Sequence, residues 1–175
     1  IIELGGRAAI FTPNRVMEGY GVNSRIVEEA NAKGASVLLT CDNGIAAFEA
    51  IEEAKKLGMT VIVTDHHEVP FEEHDGKKTY FLPKADAIVD PKQEDCAYPF
   101  KSLCGTGVAY QLMTLLFHRM KRTMSRQEIF LQYTAIATVA DVMELVGENR
   151  ILVRKGLSYL NHTNHIGLRA LMEVC

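Results

Sequence analysis

The sequence predicts an α/β fold, a doubly wound parallel sheet with helices on both faces, followed by a helical C-terminal half. Short β-branched runs alternate with helical patterns through the first half, and strand signals stop at Gly105, beyond which helical periodicity takes over. Composition agrees: 175 residues, 47% hydrophobic and 23% charged, give enough apolar mass for one ordinary globular core.

Strands are expected at 8–11 (AAIF), 36–40 (SVLLT), 60–64 (TVIVT) and 87–89 (AIV), with helices over 22–33 and 45–57 between them. In the second of these helices Ile45, Phe48, Ile51, Ala54 and Leu57 recur at three-residue steps and predict one sheet-facing stripe, which Gly58 ends as a C′ glycine. Segment 68–85, with EEHDGKK, Pro70 and Pro83, reads as a polar surface excursion. Helices follow at about 106–120, 126–144, 149–161 and 167–174.

Several classes are excluded or disfavoured. No run of about 18 uncharged apolar residues is present to span a bilayer, and the opening IIELGGRAAIF lacks a secretory signal pattern, so a cytoplasmic setting is expected. Cys41, Cys96, Cys104 and Cys175 form no C-x-x-C pair and are expected to be reduced thiols. The net charge is −3 and the basic residues are dispersed, so any grip on nucleic acid must come partly from elsewhere. The abrupt start at Ile1 and the stop inside a helical pattern give the expectation of a piece of a longer protein.

The chemistry gathers at two strand ends. SVLLT runs into Cys41-Asp42-Asn43-Gly44, and TVIVT runs into Asp65-His66-His67. A β-α-β crossover sets such strands side by side, about 4.8 Å apart, with their carboxyl edges together, where open α/β sheets bind ligands. Carboxylate and imidazole in one crevice suit Mn²⁺ or a similar divalent ion. The competing reading has Asp42 capping the following helix and Asp65 with the histidines forming a hydrogen-bonded turn. For Asp42 alone the two readings stand level; the adjacent histidine pair favours metal. Asp141, inside the apolar run IFLQYTAIATVADVMEL, predicts a buried carboxylate that needs a metal, several N–H donors or a basic partner such as Arg150 or Arg126.

These residues carry a resemblance. CDNGI at 41–45, VTDHH at 63–67 and ATVADVMEL at 137–145 resemble the second, third and fourth motifs of the DHH phosphoesterase superfamily. MEGYGVN at 17–23, DCAYPFKSLCGTGVAYQL at 95–112 and GENR at 147–150 resemble its RecJ exonuclease branch. The resemblance implies a two-ion Mn²⁺ or Mg²⁺ centre for phosphodiester hydrolysis: Asp42 bridging both ions, His66 and Asp141 completing one shell, His67 contacting the scissile phosphate, and Asp65 orienting the histidines. It further implies a 5′-to-3′ exonuclease on single-stranded DNA in recombination and repair.

The family's aspartate-rich first motif and its C-terminal substrate-binding domain find no counterpart in residues 1–175, so this chain is expected to be a partial DHH domain that binds metal weakly and has little activity. Smaller signals are Gly105-Thr106-Gly107, a helix start that could hold phosphate or simply turn tightly, and Arg15, a candidate phosphate grip or a solvated cation. His118, His162 and His165 receive no role. Two rival functions remain: a family phosphodiesterase acting on oligonucleotides or cyclic dinucleotides, and a non-catalytic replication scaffold, against which the retained Asp42, His66, His67 and Asp141 argue.

Overall fold

A computed structural model describes residues 1–174, which form two compact units, the first spanning Ile1–Ala97 and the second beginning at Tyr98. The reduced thiol expected at Cys175 lies outside the described residues. Cys41 and Cys104 are free thiols, as expected.

The first unit holds helices α1 (Arg15–Glu18), α2 (Ser24–Ala32) and α3 (Phe48–Lys56) and strands β1 (Val37–Leu39), β2 (Thr60–Thr64), β3 (Phe71–His74), β4 (Lys77–Tyr80) and β5 (Ala87–Val89). β1, β2 and β5 form a parallel sheet with β2 central, in the register Leu38↔Val61 and Val63↔Ile88. Because side chains alternate across a strand, Val61 and Val63 share a face. That face meets Val27 and Ala30 of α2 and Ala50, Ile51 and Ala54 of α3 in one buried cluster.

α3 ends as its sequence predicts. The Gly58 N–H donates to Lys55 O and the Met59 N–H to Ala54 O, each at 3.0 Å, with Gly58 at φ +76°, which is a Schellman stop. Its buried stripe is Ala50, Ile51 and Ala54, whereas Phe48 and Leu57 are exposed. The expected three-residue spacing drifts around a helix of 3.6 residues per turn, so the ends of the series leave the sheet.

Two expectations need correction. Residues 8–11 form no strand: Ile10 is 94% exposed and no described segment pairs with it, so β propensity alone has no ladder to join. The polar excursion contains a regular antiparallel hairpin, β3 with β4, whose turn places Asp75 and Gly76 at φ +53° and +75°. Asp-Gly between two short runs is the signature of a two-residue type I′ turn, and it overrides the polar composition.

The second unit is helical: α4 (Gly105–Arg119), α5 (Gln127–Ala140), α6 (Gly147–Leu160) and α7 (Ile166–Val174). α5 and α6 pack so closely that a Cβ on Gly156 would lie 2.2 Å from the Leu131 carbonyl oxygen. Thr134 and Thr138 are fully buried and satisfy their hydroxyls on the carbonyls one turn back, Phe130 O at 2.8 Å and Thr134 O at 2.7 Å. The sequence stretches at 95–112 and 147–150 meet here. Tyr98 donates to Glu148, Asn149 Nδ2 donates to Ser102 O at 2.6 Å, and Gln111 donates to Glu148. No helix among the described residues is long and apolar enough to cross a membrane.

α5 stops earlier than periodicity predicts. The Val142 N–H donates to Val139 O and the Met143 N–H to Thr138 O, a Schellman stop with valine at φ +55° in the C′ place. A β-branched residue is strained there, and Val142 is 88% exposed, so packing does not offset the strain. Val142→Gly is expected to raise unfolding stability by about 1 kcal/mol, read as an upward shift in the urea midpoint at unchanged slope.

Candidate metal centre

The carboxyl edge of the parallel sheet is built by its threonines. Thr64 Oγ1 donates to Thr40 O at 2.6 Å and both residues are buried, which pins the end of β2 to the end of β1. Beyond this pin the chain turns sharply, and the Asp42 N–H donates to Thr64 O at 3.0 Å with Asp42 at φ +63°. Gly44 closes the turn at φ +115°, where a Cβ would lie 2.8 Å from Thr40 Oγ1, so the glycine of CDNG is required by both conformation and space.

This turn aims Asp42 at the histidines. Asp42 Oδ1 lies 3.0 Å from His66 Nε2, and ligand atoms of Asp42, His66 and His67 all lie within 4.8 Å of one another. The oxygen is buried and accepts no hydrogen bond, although the imidazole nitrogen lies within ion-pair distance. That is the arrangement expected of two donors to one cation, since ligand atoms about 2.1 Å from an octahedral ion are about 3.0 Å apart when adjacent. Hard carboxylate with borderline imidazole fits Mn²⁺ or Mg²⁺.

The capping alternative for Asp42 fails, because α3 begins only at Phe48 and its N-cap is Ala47, with no side-chain cap. The hydrogen-bonded turn at Asp65 is present. Asp65 is buried; its Oδ1 accepts from the His66 N–H at 2.8 Å and contacts His67 Nδ1 at 2.6 Å, and its Oδ2 accepts from the Ile45 N–H at 2.9 Å. Burial pushes the Asp65 carboxyl up, but the Ile45 N–H, the His67 ring and the His66 N–H together outweigh it and hold Asp65 below the usual carboxylate range. Asp65 therefore stays ionised and fixes the His67 proton at Nδ1, leaving Nε2 to face outward. The His66 side chain is 8% exposed and that of His67 47%.

Sequence reasoning missed Tyr20. Its hydroxyl donates to the Asp42 carbonyl, its ring stands edge-on to His67 at 5.9 Å, and the Arg15 guanidinium lies 5.5 Å from its centroid. Asn43 Oδ1 also accepts from the Val22 N–H at 3.1 Å. The EGYGVN stretch thus braces the CDNG turn, a link between loops about 20 residues apart that local periodicity does not register.

Asp141 belongs to the second unit and is the exposed C-cap of α5. The buried-charge expectation for it does not hold, because the helix ends at Ala140 and carries Asp141 out of the apolar run. Gly105 and Gly107 open α4 and are buried, and the Gly107 N–H donates to Cys104 Sγ at 3.4 Å. This fits a packing role better than a phosphate cradle. His165 holds the Tyr133 hydroxyl at 3.1 Å and accepts the Leu168 N–H, a local structural use.

Comparison with known proteins shows which family the chain resembles. The family model described as "DHH family, N-terminal domain" matches residues 4–138. The chain is 39% identical over 172 residues to the single-stranded-DNA-specific exonuclease RecJ of Bacillus subtilis (strain 168), covering 98% of this chain and 20% of that protein. It is 40% identical over 172 residues to the protein of that name from Escherichia coli (strain K12), covering 93% and 28%. The crystal structure of exonuclease RecJ bound to manganese superposes with a TM-score of 0.80 at 32% identity, over 99% of this chain and 41% of that one. This chain thus spans less than a third of the length of these curated relatives. With its parallel sheet, its Asp65-His66-His67 edge and a family match over most of its length, the chain belongs to the DHH family.

Proposed function

We propose that this chain carries the metal-binding edge of a phosphodiesterase that degrades single-stranded DNA from the 5′ end, in the cytoplasm, during recombination and repair. The carrying observation is the convergence of Asp42, His66 and His67 at one sheet edge, with a buried Asp42 oxygen that accepts no hydrogen bond. The similarity to single-stranded-DNA-specific exonucleases supports the substrate, and the manganese of a similar solved structure supports the cofactor.

Bound divalent ions would supply a hydroxide at neutral pH and positive charge against the phosphate. Asp42 and His66 present donors from a rigid, buried strand end, so little ordering entropy is lost on binding. His67, more exposed and backed by Asp65, holds its proton at Nδ1 and offers Nε2 to the scissile phosphate. Arg15, stacked on Tyr20, grips a neighbouring phosphate. Asp65 stays out of the ligand set because both of its oxygens are occupied by hydrogen bonds.

The test is an assay of the full-length protein, of which this chain is expected to be a part, with Mn²⁺ on single-stranded DNA, duplex DNA and the dinucleotide pApA. Preferential loss of single strands from the 5′ end is expected. A strong preference for pApA would contradict the proposal and favour an oligonucleotide phosphodiesterase.

A further inference from the structure

Tyr20 sits in the Gly19-Tyr20-Gly21 turn that follows α1, and both glycines have positive φ, +82° and +84°. Gly19 combines its φ with ψ −159°, a backbone region that only glycine enters at low cost. The side chain placed by these two turns reaches the metal edge. The Tyr20 hydroxyl donates to the Asp42 carbonyl, and its ring stands edge-on to His67 at 5.9 Å and 70°. Tyr20 is 58% exposed, so apolar burial does not account for this placement.

Asp42 needs an external hold, because its φ of +63° is sparsely populated for any residue with a side chain. The Asp42 N–H is tied to Thr64 O at 3.0 Å and its carbonyl is tied to Tyr20, so the residue is clamped on both sides. Asn43 fixes the frame around it: its Nδ2 donates to Cys41 O at 2.9 Å, and its Oδ1 accepts from the Val22 N–H at 3.1 Å. Without the hydroxyl, the Asp42 carbonyl turns to water and the residue relaxes toward a commoner backbone region. Side-chain direction follows the backbone, so Oδ1 then swings away from His66 Nε2, from which it now stands 3.0 Å.

We infer that Tyr20 is a positioning residue for Asp42, its hydroxyl holding the left-handed turn that sets Oδ1 against His66. This rests on the proposal that Asp42 is a metal ligand. The contact acts on the backbone of the ligand, so its loss lowers metal affinity without touching the DNA. The ring has a separate use: the Arg15 guanidinium lies 5.5 Å from its centroid, and that contact survives wherever an aromatic ring is kept.

Tyr20→Phe in the full-length protein removes the hydroxyl alone. By calorimetry its Mn²⁺ dissociation constant is expected to rise about 10-fold, the usual scale for partners that orient metal ligands, with KM for single-stranded DNA unchanged. Tyr20→Leu, which also removes the ring, is expected to show the same Mn²⁺ loss together with a raised KM, because Arg15 loses its support. Crystals of Tyr20→Phe grown without metal should show Asp42 Oδ1 displaced from His66 Nε2. A folded Tyr20→Phe protein with wild-type Mn²⁺ affinity, or with Asp42 unmoved in those crystals, overturns the inference; a raised KM in place of the Mn²⁺ loss makes Tyr20 a substrate contact instead. If Tyr20→Phe does not fold, Tyr20→Trp, which keeps an aromatic ring and lacks the hydroxyl, decides by the same two measurements. Failure of the wild type to bind Mn²⁺ would sink the proposed function, while the metal-free crystals still decide whether Tyr20 holds Asp42.

Discussion

Replacing His66 with alanine in the full-length protein is expected to reduce nuclease turnover by about three orders of magnitude or more, roughly 4 kcal/mol of transition-state stabilisation. The side chain is 8% exposed and its Nε2 lies 3.0 Å from Asp42 Oδ1, so the substitution removes one member of a preformed pair of donors. Removing it leaves Asp42 Oδ1 buried beside an empty volume, and Mn²⁺ affinity should fall in parallel. Steady-state kinetics on single-stranded DNA, with circular dichroism to verify folding, check this. Turnover within about tenfold of wild type in a folded His66→Ala protein would remove His66 from the site.

The largest structural effect is expected at Gly156. A Cβ there would meet the Leu131 carbonyl oxygen at 2.2 Å and Ala135 Cβ at 2.5 Å, and a backbone carbonyl cannot rotate away as a flexible side chain can. Gly156→Ala must therefore push α5 from α6, unseating the fully buried Thr134, Ala135 and Thr138. The favourable helix propensity of alanine, about 1 kcal/mol, is small beside this. A net loss of about 3 kcal/mol is expected, at the upper end for overpacking a core. In thermal unfolding this is a fall in Tm of roughly 10 °C for a chain of this length. A change below about 1 kcal/mol would mean that the helices separate easily.

The sheet was legible because SVLLT and TVIVT are continuous apolar runs bounded by polar turns, the pattern of strands covered on both faces. Asp42 and the histidine pair were legible because they follow those runs at once, and a strand end fixes where the next residues point. Asp90 has the same placement after AIV, but a single aspartate before proline carries no motif, and only the strand order β1-β2-β5 shows it beside Asp65. Tyr20 was hidden because its contact crosses from one loop to another. Helix α5 was overextended because its stop uses Val142 rather than glycine, so the residues themselves give no sign of the left-handed turn. Asp75-Gly76 was readable as a hairpin turn and was masked by the charge around it.

The central claim is that Asp42, His66 and His67 hold one metal centre. Anomalous diffraction at the manganese edge, from crystals of the full chain grown with Mn²⁺, tests it most directly. A peak about 2.0–2.4 Å from both Asp42 Oδ1 and His66 Nε2 is predicted. Manganese bound elsewhere, with Asp42 and His66 in contact only with each other, would contradict it.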